Sequence, residues 1–289
     1  MKTILAIGGH DPSGGAGIQA DIEAIAANGG HAVTAITALT VQDTVNVSRI
    51  EPVPIDLFRQ VLATLDDDFT FDAIKIGLIG EAGIAEIVAN FLKKHPDVPV
   101  VLDPVLAAGG GAEMSSQVIR GLMLEEFLPQ VSLVTPNLPE AQRLTGKSDA
   151  SACAAALLDH GADAVLITGG HDEGRSIVNR WFDAKGEQQF EWERLEGEFH
   201  GSGCTLASAI ATFLAREMPM KLALRLAQAF THDALLKAGQ AGRGQKVPRR
   251  IAGAPPTCNI ATTPTMCRSG LARPRRSGSS APRRVFSLS

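Results

Sequence analysis

The stretch HGSGCTLAS, residues 200–208, sets a thiol behind a Gly-Ser-Gly turn and ahead of a run of small and apolar residues. That order reads as a helix beginning near Ser202. The first amides of a helix have no partner within it, and the helix dipole favours negative charge there. Gly201 and Gly203 remove the side chains that would block a phosphoryl group, and Ser202 lies between them. The same setting lowers a thiol's pKa towards the thiolate, so Cys204 could act as a base beside a transferring phosphoryl group. Equally, Cys204 could be a small packed residue at a helix start. The stretch alone leaves both readings open.

Three further segments carry chemistry-bearing residues, together with a glycine-rich one. GGHDPSGGAGIQAD, residues 8–21, fits neither GxGxxG nor GxxxxGK[ST], yet its glycines let backbone amides approach a ligand. A plain strand-to-helix turn would read the same way. In TALTVQDT, residues 37–44, Gln42 follows a strand, and its amide offers a donor beside an acceptor, which suits an aminopyrimidine edge. A solvated loop glutamine is the alternative. In VVLDPVL, residues 100–106, Asp103 closes an apolar strand and could hold Mg²⁺ or one of its waters, or simply face solvent. In LVTPNLPEA, residues 133–141, Asn137 and Glu140 supply oxygens that, with Asp103, suit a phosphate-bound Mg²⁺. They could also be only a helix N-cap and a first-turn carboxylate.

These motifs need elements to hold them. Apolar, β-branched runs predict strands over 3–7, 32–38, 73–78, 98–102, 131–134 and 164–168. Helical patterns fall between them, over 17–27, 55–65, 84–94, 116–126 and 150–160. Alternation of this kind predicts an α/β fold with a mostly parallel sheet covered on both faces. Open parallel sheets bind ligands at the carboxyl ends of their strands, where all these motifs lie. Residues 175–195 read as a hairpin turning at Asp183–Gly186, followed by helices from Ser202 and over 221–237.

Composition sets the bounds. The chain has 289 residues, 45% hydrophobic and 20% charged, with a net charge of −4. That balance gives no case for nucleic-acid binding, and no apolar run is long enough for a membrane span. Cys153, Cys204, Cys258 and Cys267 form no CxxC pair and have no zinc spacing, and Cys153 reads as a small core residue. From Lys246 onward the chain carries Lys246, eight arginines and no acidic residue, among Pro, Ser, Ala, Gly and Thr. The expected organisation is a domain over 1–245 and a basic tail over 246–289 that cannot order itself or is out-of-frame sequence. The expected location is the cytoplasm.

Taken in order, GGHDPSGGAGIQAD, TALTVQDT, KIGLIG, LDPV, VTPNLPEA and HGSGCTLASA resemble the hydroxymethylpyrimidine/phosphomethylpyrimidine kinases of thiamin biosynthesis, within the ribokinase-like superfamily. The resemblance covers the chain to about Gln245. It implies a central, mostly parallel sheet flanked by helices, transfer of the γ-phosphoryl group of Mg-ATP, and often a homodimer. By motif position, it implies that Ala16, Gln42, Leu78, Val105 and Cys204 line a pyrimidine pocket. Asp103, Asn137 and Glu140 would serve Mg-ATP, with Asp103 and Glu140 on the metal side. Gly201, Ser202 and Gly203 would form the anion hole. Most of the superfamily has Asp where Cys204 stands, which points to pyrimidine and some pyridoxal kinases rather than sugar kinases.

There are departures. Thr168, on the ATP side, stands where many relatives carry a lysine, and Leu78 stands where methionine is common. The usual ending is not recognisable after about Val247. The expected reactions are phosphorylation of 4-amino-5-hydroxymethyl-2-methylpyrimidine and then of its monophosphate. Only the first needs a base, for which Cys204 is the candidate. Pyridoxal kinase is the nearest alternative; a non-catalytic pyrimidine-binding protein and a tail that binds nucleic acid are further ones.

Overall fold

Strand β1 (Lys2–His10) carries four fully buried residues in a row, Ile4 to Ile7. Alternate residues point to opposite faces of a strand, so an apolar run needs cover on both. The two faces are covered by different helices. Leu5 and Ile7 join one core and Ile4 and Ala6 the other.

The computed structural model describes residues 1–106, 115–170 and 174–251. Within them lie β2 (Gly30–Gln42), β3 (Val47–Pro52), β4 (Ala73–Ile76), β5 (Val100–Leu102), β6 (Leu133–Val134), β7 (Ala164–Ile167), β8 (Ser176–Asp183) and β9 (Gly186–Glu193). They form one sheet in the order β3-β2-β1-β4-β5-β6-β7-β8-β9. Pairing is parallel from β2 across to β7, and β3, β8 and β9 are antiparallel. The carboxyl ends of six parallel strands therefore open on one edge.

One face packs against α2 (Ile55–Asp68), α3 (Ala82–Leu92), α4 (Gln117–Leu122), α5 (Leu138–Thr145) and α6 (Ala150–Asp159). The other packs against α1 (Gly17–Ala27), α7 (Ser202–Ala215) and α8 (Met220–Leu236). This is the expected fold. Cys153 is fully buried in α6, as its apolar setting implied. No helix among the described residues is long and apolar enough to cross a membrane.

Several local expectations differ from the structure. The helix expected over 116–126 ends as α-helix at Leu122 and continues as a π turn over Met123–Phe127. Strand β3, VSRIEP, has no apolar alternation to announce it and forms because it pairs with the end of β2. Helix α5 is only eight residues long and is started by a capping box.

The folded body also extends past the expected boundary at Gln245. The Lys246 amide donates to Glu198 O and its carbonyl accepts the His200 amide, each at 2.9 Å. Val247 pairs with Gly239, and the Arg249 amide donates to Ala234 O. These hydrogen bonds are to backbone, so the residue types gave no sign of them. The rest of the expected tail, with Cys258 and Cys267, lies outside the described residues.

Candidate active site

The carboxyl ends of the parallel strands open onto a cavity of about 760 Å³. The cavity brings together every residue that the sequence nominated. Ala16, Gln42, Leu78 and Val105 line it, as do Asp103, Asn137, Glu140 and Thr168, and Gly201 to Cys204 lie on its wall.

Helix α7 begins as expected. Gly201 caps it at φ +76°, a left-handed conformation that L residues rarely adopt. A Cβ there would also collide with the Gly15 carbonyl, so the turn and the β1–α1 loop meet backbone to backbone. The first amide bonded within the helix region is that of Thr205, which donates to Gly201 O at 3.0 Å. Among the described residues no backbone acceptor meets the amides of Ser202, Gly203 and Cys204.

The Cys204 thiol departs from expectation. Burial pushes its pKa up to about 12, and the charges of Asp103 and Asp21 add to that. The Lys75 charge and a hydrogen bond from the Gly17 amide act the other way and do not prevail. The helix N-terminus therefore does not yield a thiolate here. The thiol keeps its proton and hydrogen-bonds the Asp103 carboxylate.

Beneath the turn lies a charged cluster that the sequence reading missed. Lys75, in the middle of β4 and 1% exposed, lies with its Nζ 2.8 Å from Asp21 Oδ1. Ser208 Oγ donates to the same oxygen at 2.7 Å. Asp21 Oδ2 has no partner among the described residues. Burial works against the Lys75 charge, but the Asp21 and Asp103 charges outweigh it and hold its pKa above the usual lysine range. Burial raises the Asp103 carboxyl, with Asp21 adding, although Lys75 and the thiol oppose. A lysine inside the four-residue buried strand AIKI was the signal available in the sequence.

Next to the turn, Asp11 organises the β1–α1 loop. Its Oδ1 accepts the Ser13 amide at 2.8 Å, and its Oδ2 accepts the Ala16 amide at 2.8 Å and the Ser13 hydroxyl at 3.0 Å. His200 Nε2 lies 2.8 Å from the same Oδ2. Burial opposes ionisation of Asp11, yet the hydrogen bonds from His200, Ser13 and Ala16 hold its pKa at about 2. An ionised carboxylate only accepts, so Nε2 carries the hydrogen. The Gln42 amide lies 3.2 Å from that nitrogen. With its nitrogen nearest, two donors would face each other; the flipped amide presents its oxygen instead and frees its NH₂ group for a ligand. Gln42 ends β2, paired with Val47 after a register shift. It is a held strand-end residue, not a solvated loop one.

The residues expected on the ATP side are also engaged locally. The Glu140 amide donates to Asn137 Oδ1 at 2.9 Å, and the Asn137 amide donates to Glu140 Oε2 at 3.0 Å. The N-cap reading is thus realised together with cavity lining. Burial, with the Asp103 charge adding to it, pushes the Glu140 carboxyl up to about 8; the Asn137 and Leu106 amides and Arg143 oppose. Thr168 donates its amide to Pro136 O at 2.9 Å. The lysine or arginine side chains among the described lining residues are Lys75, Arg143 and Arg194.

Residues 11–249 match the phosphomethylpyrimidine kinase family. The hydroxymethylpyrimidine/phosphomethylpyrimidine kinase of Aquifex aeolicus is 34% identical over 249 residues, which is 84% of this chain and 98% of that protein. Among solved structures, an ADP complex of Bacillus subtilis pyridoxal kinase superposes with a TM-score of 0.81 at 29% identity, over 86% of this chain and 97% of that one. The phosphomethylpyrimidine kinase of Clostridium difficile 630 does so at 0.71 and 28% identity, over 81% and 99%.

Proposed function

The chain belongs to the phosphomethylpyrimidine kinase family, and from that premise we propose that it phosphorylates 4-amino-5-hydroxymethyl-2-methylpyrimidine with ATP. It then phosphorylates the monophosphate to the diphosphate, in thiamin biosynthesis. One observation carries the reading within the site. A glutamine amide fixed by a His200–Asp11 pair shares a cavity with the open amides of a helix N-terminus. The first suits a ring that both donates and accepts hydrogen bonds; the second suits a transferring phosphoryl group.

Phosphoryl transfer needs positioning and charge stabilisation more than covalent help from the protein. Ala16, Leu78 and Val105 flank the ring while Gln42 donates its NH₂ group to a ring acceptor. The amides of Ser202, Gly203 and Cys204 hold the transferring group, with the Lys75 charge behind them. Asn137, whose oxygen is used in the cap, has its NH₂ group for an ATP phosphate, and Thr168 has its hydroxyl.

The donor set fits Mg²⁺. That ion binds through one or two carboxylates together with substrate phosphates, and the charge of the buried Asp103 carboxyl disfavours ionisation of the half-buried Glu140. When bound, Mg²⁺ would neutralise charge on the ATP phosphates and on Asp103, with Asp103 and Glu140 holding it. Asp103's charge is one of the causes that keep the proton on Cys204. To take the alcohol's proton in the first transfer, Sγ first releases its own proton to solvent, and the Lys75 charge and the Gly17 amide favour the thiolate that results. The second nucleophile, a phosphate oxygen, is already ionised.

The likeness to pyridoxal kinases favours one second reading, that the accepted alcohol is pyridoxal. Incubation with ATP and each alcohol, with products followed by mass, decides between them. Mono- and diphosphate from the pyrimidine are expected; phosphorylation of pyridoxal alone would name the other ring, and no phosphorylation of either would remove the kinase reading. The proposal includes a cytoplasmic homodimer. Leu39, Val41 and Val45 leave an exposed apolar strip beside β3, at the sheet edge, where a second copy would pack.

A further inference from the structure

Arg250 lies beyond the matched family segment and outside every motif, yet its side chain is completely buried. It does not line the cavity; it sits behind it. Its Nε donates to Thr205 Oγ1 at 2.7 Å, its Nη2 donates to the Gly15 carbonyl, and its Nη1 lies 3.1 Å from Glu23 Oε2. Thr205 Oγ1 passes the link on, donating to Gly201 O at 2.7 Å. A Cβ on Gly201 would lie 2.9 Å from Nη2, so the guanidinium is packed directly against the turn.

We propose that Arg250 is a positioning residue for phosphoryl transfer, whose guanidinium locks the Gly15 carbonyl to the first turn of α7 and so fixes the two loops that enclose the reacting groups. A buried ion pair is weak evidence of stability by itself, because apolar packing often does as well. Three acceptors on three separate segments, reached by one planar fork, are what only arginine supplies. The two loops concerned carry the groups assigned to the reaction. Ala16 and the Asp11–His200–Gln42 chain depend on one, and the open amides depend on the other. The segment that delivers Arg250 is itself fixed, through Val247 to Gly239 and Arg249 to Ala234.

The proposal rests on the kinase reading for its assay alone. In the full-length chain, Arg250→Met and Arg250→Lys are compared with Val88→Ala, a buried change on the opposite face of the sheet that lowers stability without touching the site. All are assayed well below their unfolding temperatures. Arg250→Met is expected to lower kcat for both transfers about 100-fold, the scale of a small misplacement of reacting groups, with KM for ATP within about twofold. Arg250→Lys recovers part of that, and Val88→Ala keeps the parental kcat. Independently of activity, the amides of Ala16, Gly17 and Thr205 should exchange hydrogen about tenfold faster in Arg250→Met and not in Val88→Ala. Parental kcat in folded Arg250→Met, or equal exchange in the two variants, would overturn the proposal. A parent that phosphorylates neither alcohol counts against the kinase reading, while the exchange result still decides the role of Arg250.

Discussion

His200 Nε2 and Asp11 Oδ2 lie 2.8 Å apart although 189 residues separate them in the chain. Because the same nitrogen faces Gln42, the orientation of the Gln42 amide, the group proposed to bind the ring, is set from Asp11 through His200. Removing the ring by His200→Ala leaves Gln42 free to rotate. KM for the pyrimidine should rise about tenfold, the equivalent of one hydrogen bond of about 1.4 kcal/mol, with KM for ATP unchanged. Steady-state kinetics with each substrate varied in turn checks this; parallel rises in both would mean a general loosening of the site.

Cys204→Ser tests the division of labour between the two transfers. A serine hydroxyl keeps the volume but is a far weaker acid, so it cannot become a base at neutral pH. The first transfer should fall by about 100-fold or more, as for loss of a general base, and the second by only a few-fold. Single-turnover measurements starting from the alcohol and from the monophosphate separate them. Equal losses would reduce Cys204 to packing.

The Lys75–Asp21 pair makes a prediction about stability. Lys75→Met leaves a carboxylate buried with only Ser208 to serve it, and should destabilise the fold by about 3–5 kcal/mol. Adding Asp21→Asn removes the orphaned charge, so the double variant should be more stable than the single one. Denaturant titration of the parent, Lys75→Met, Asp21→Asn and the double variant gives the coupling. Additive losses would show that the two side chains act separately.

Glu140 gives a pH signature. Its carboxyl rises from the ordinary 4.5 to about 8 on folding. A group that holds its proton more tightly when folded favours folding below its unfolded pKa, and that contribution is lost as pH climbs from 4.5 towards 8. Glu140→Gln abolishes the loss and keeps a capping-box acceptor. Its unfolding temperature should match the parent near pH 4.5 and exceed it by a few degrees at pH 8.5, while ATP-dependent turnover falls. An offset that is the same at both pH values would assign the effect to something other than this carboxyl.

Much of this architecture was legible in the residues. The parallel strands announced themselves because burial on both faces demands continuous apolar runs, as in Ile4 to Ile7. The site motifs lay at strand ends, where an open sheet leaves its ligand groove. What escaped was whatever depends on a distant partner. β3 is a strand because the end of β2 is beside it. The state of the Cys204 thiol is set first by its burial, with the Asp103 and Asp21 charges adding and Lys75 opposing, so a local argument from the helix start gave the wrong direction. Asp11 and His200 stood within quoted motifs, but only the fold brings them together. Arg250 sat in composition that looked incapable of order, and nothing local marks it as buried.

The Arg250 contact also bears on how the protein comes into being. Gly15 and Arg250 are 235 residues apart, so during synthesis the β1–α1 loop is finished early and waits for its clamp until nearly the whole folded body has left the ribosome. Contacts of such long sequence separation form late, after loop closure has been met elsewhere. The sheet and its helices can gather first, and competence arrives as a final event. A nascent or shortened chain that lacks Arg250 would then be a folded body whose two loops are not yet locked together.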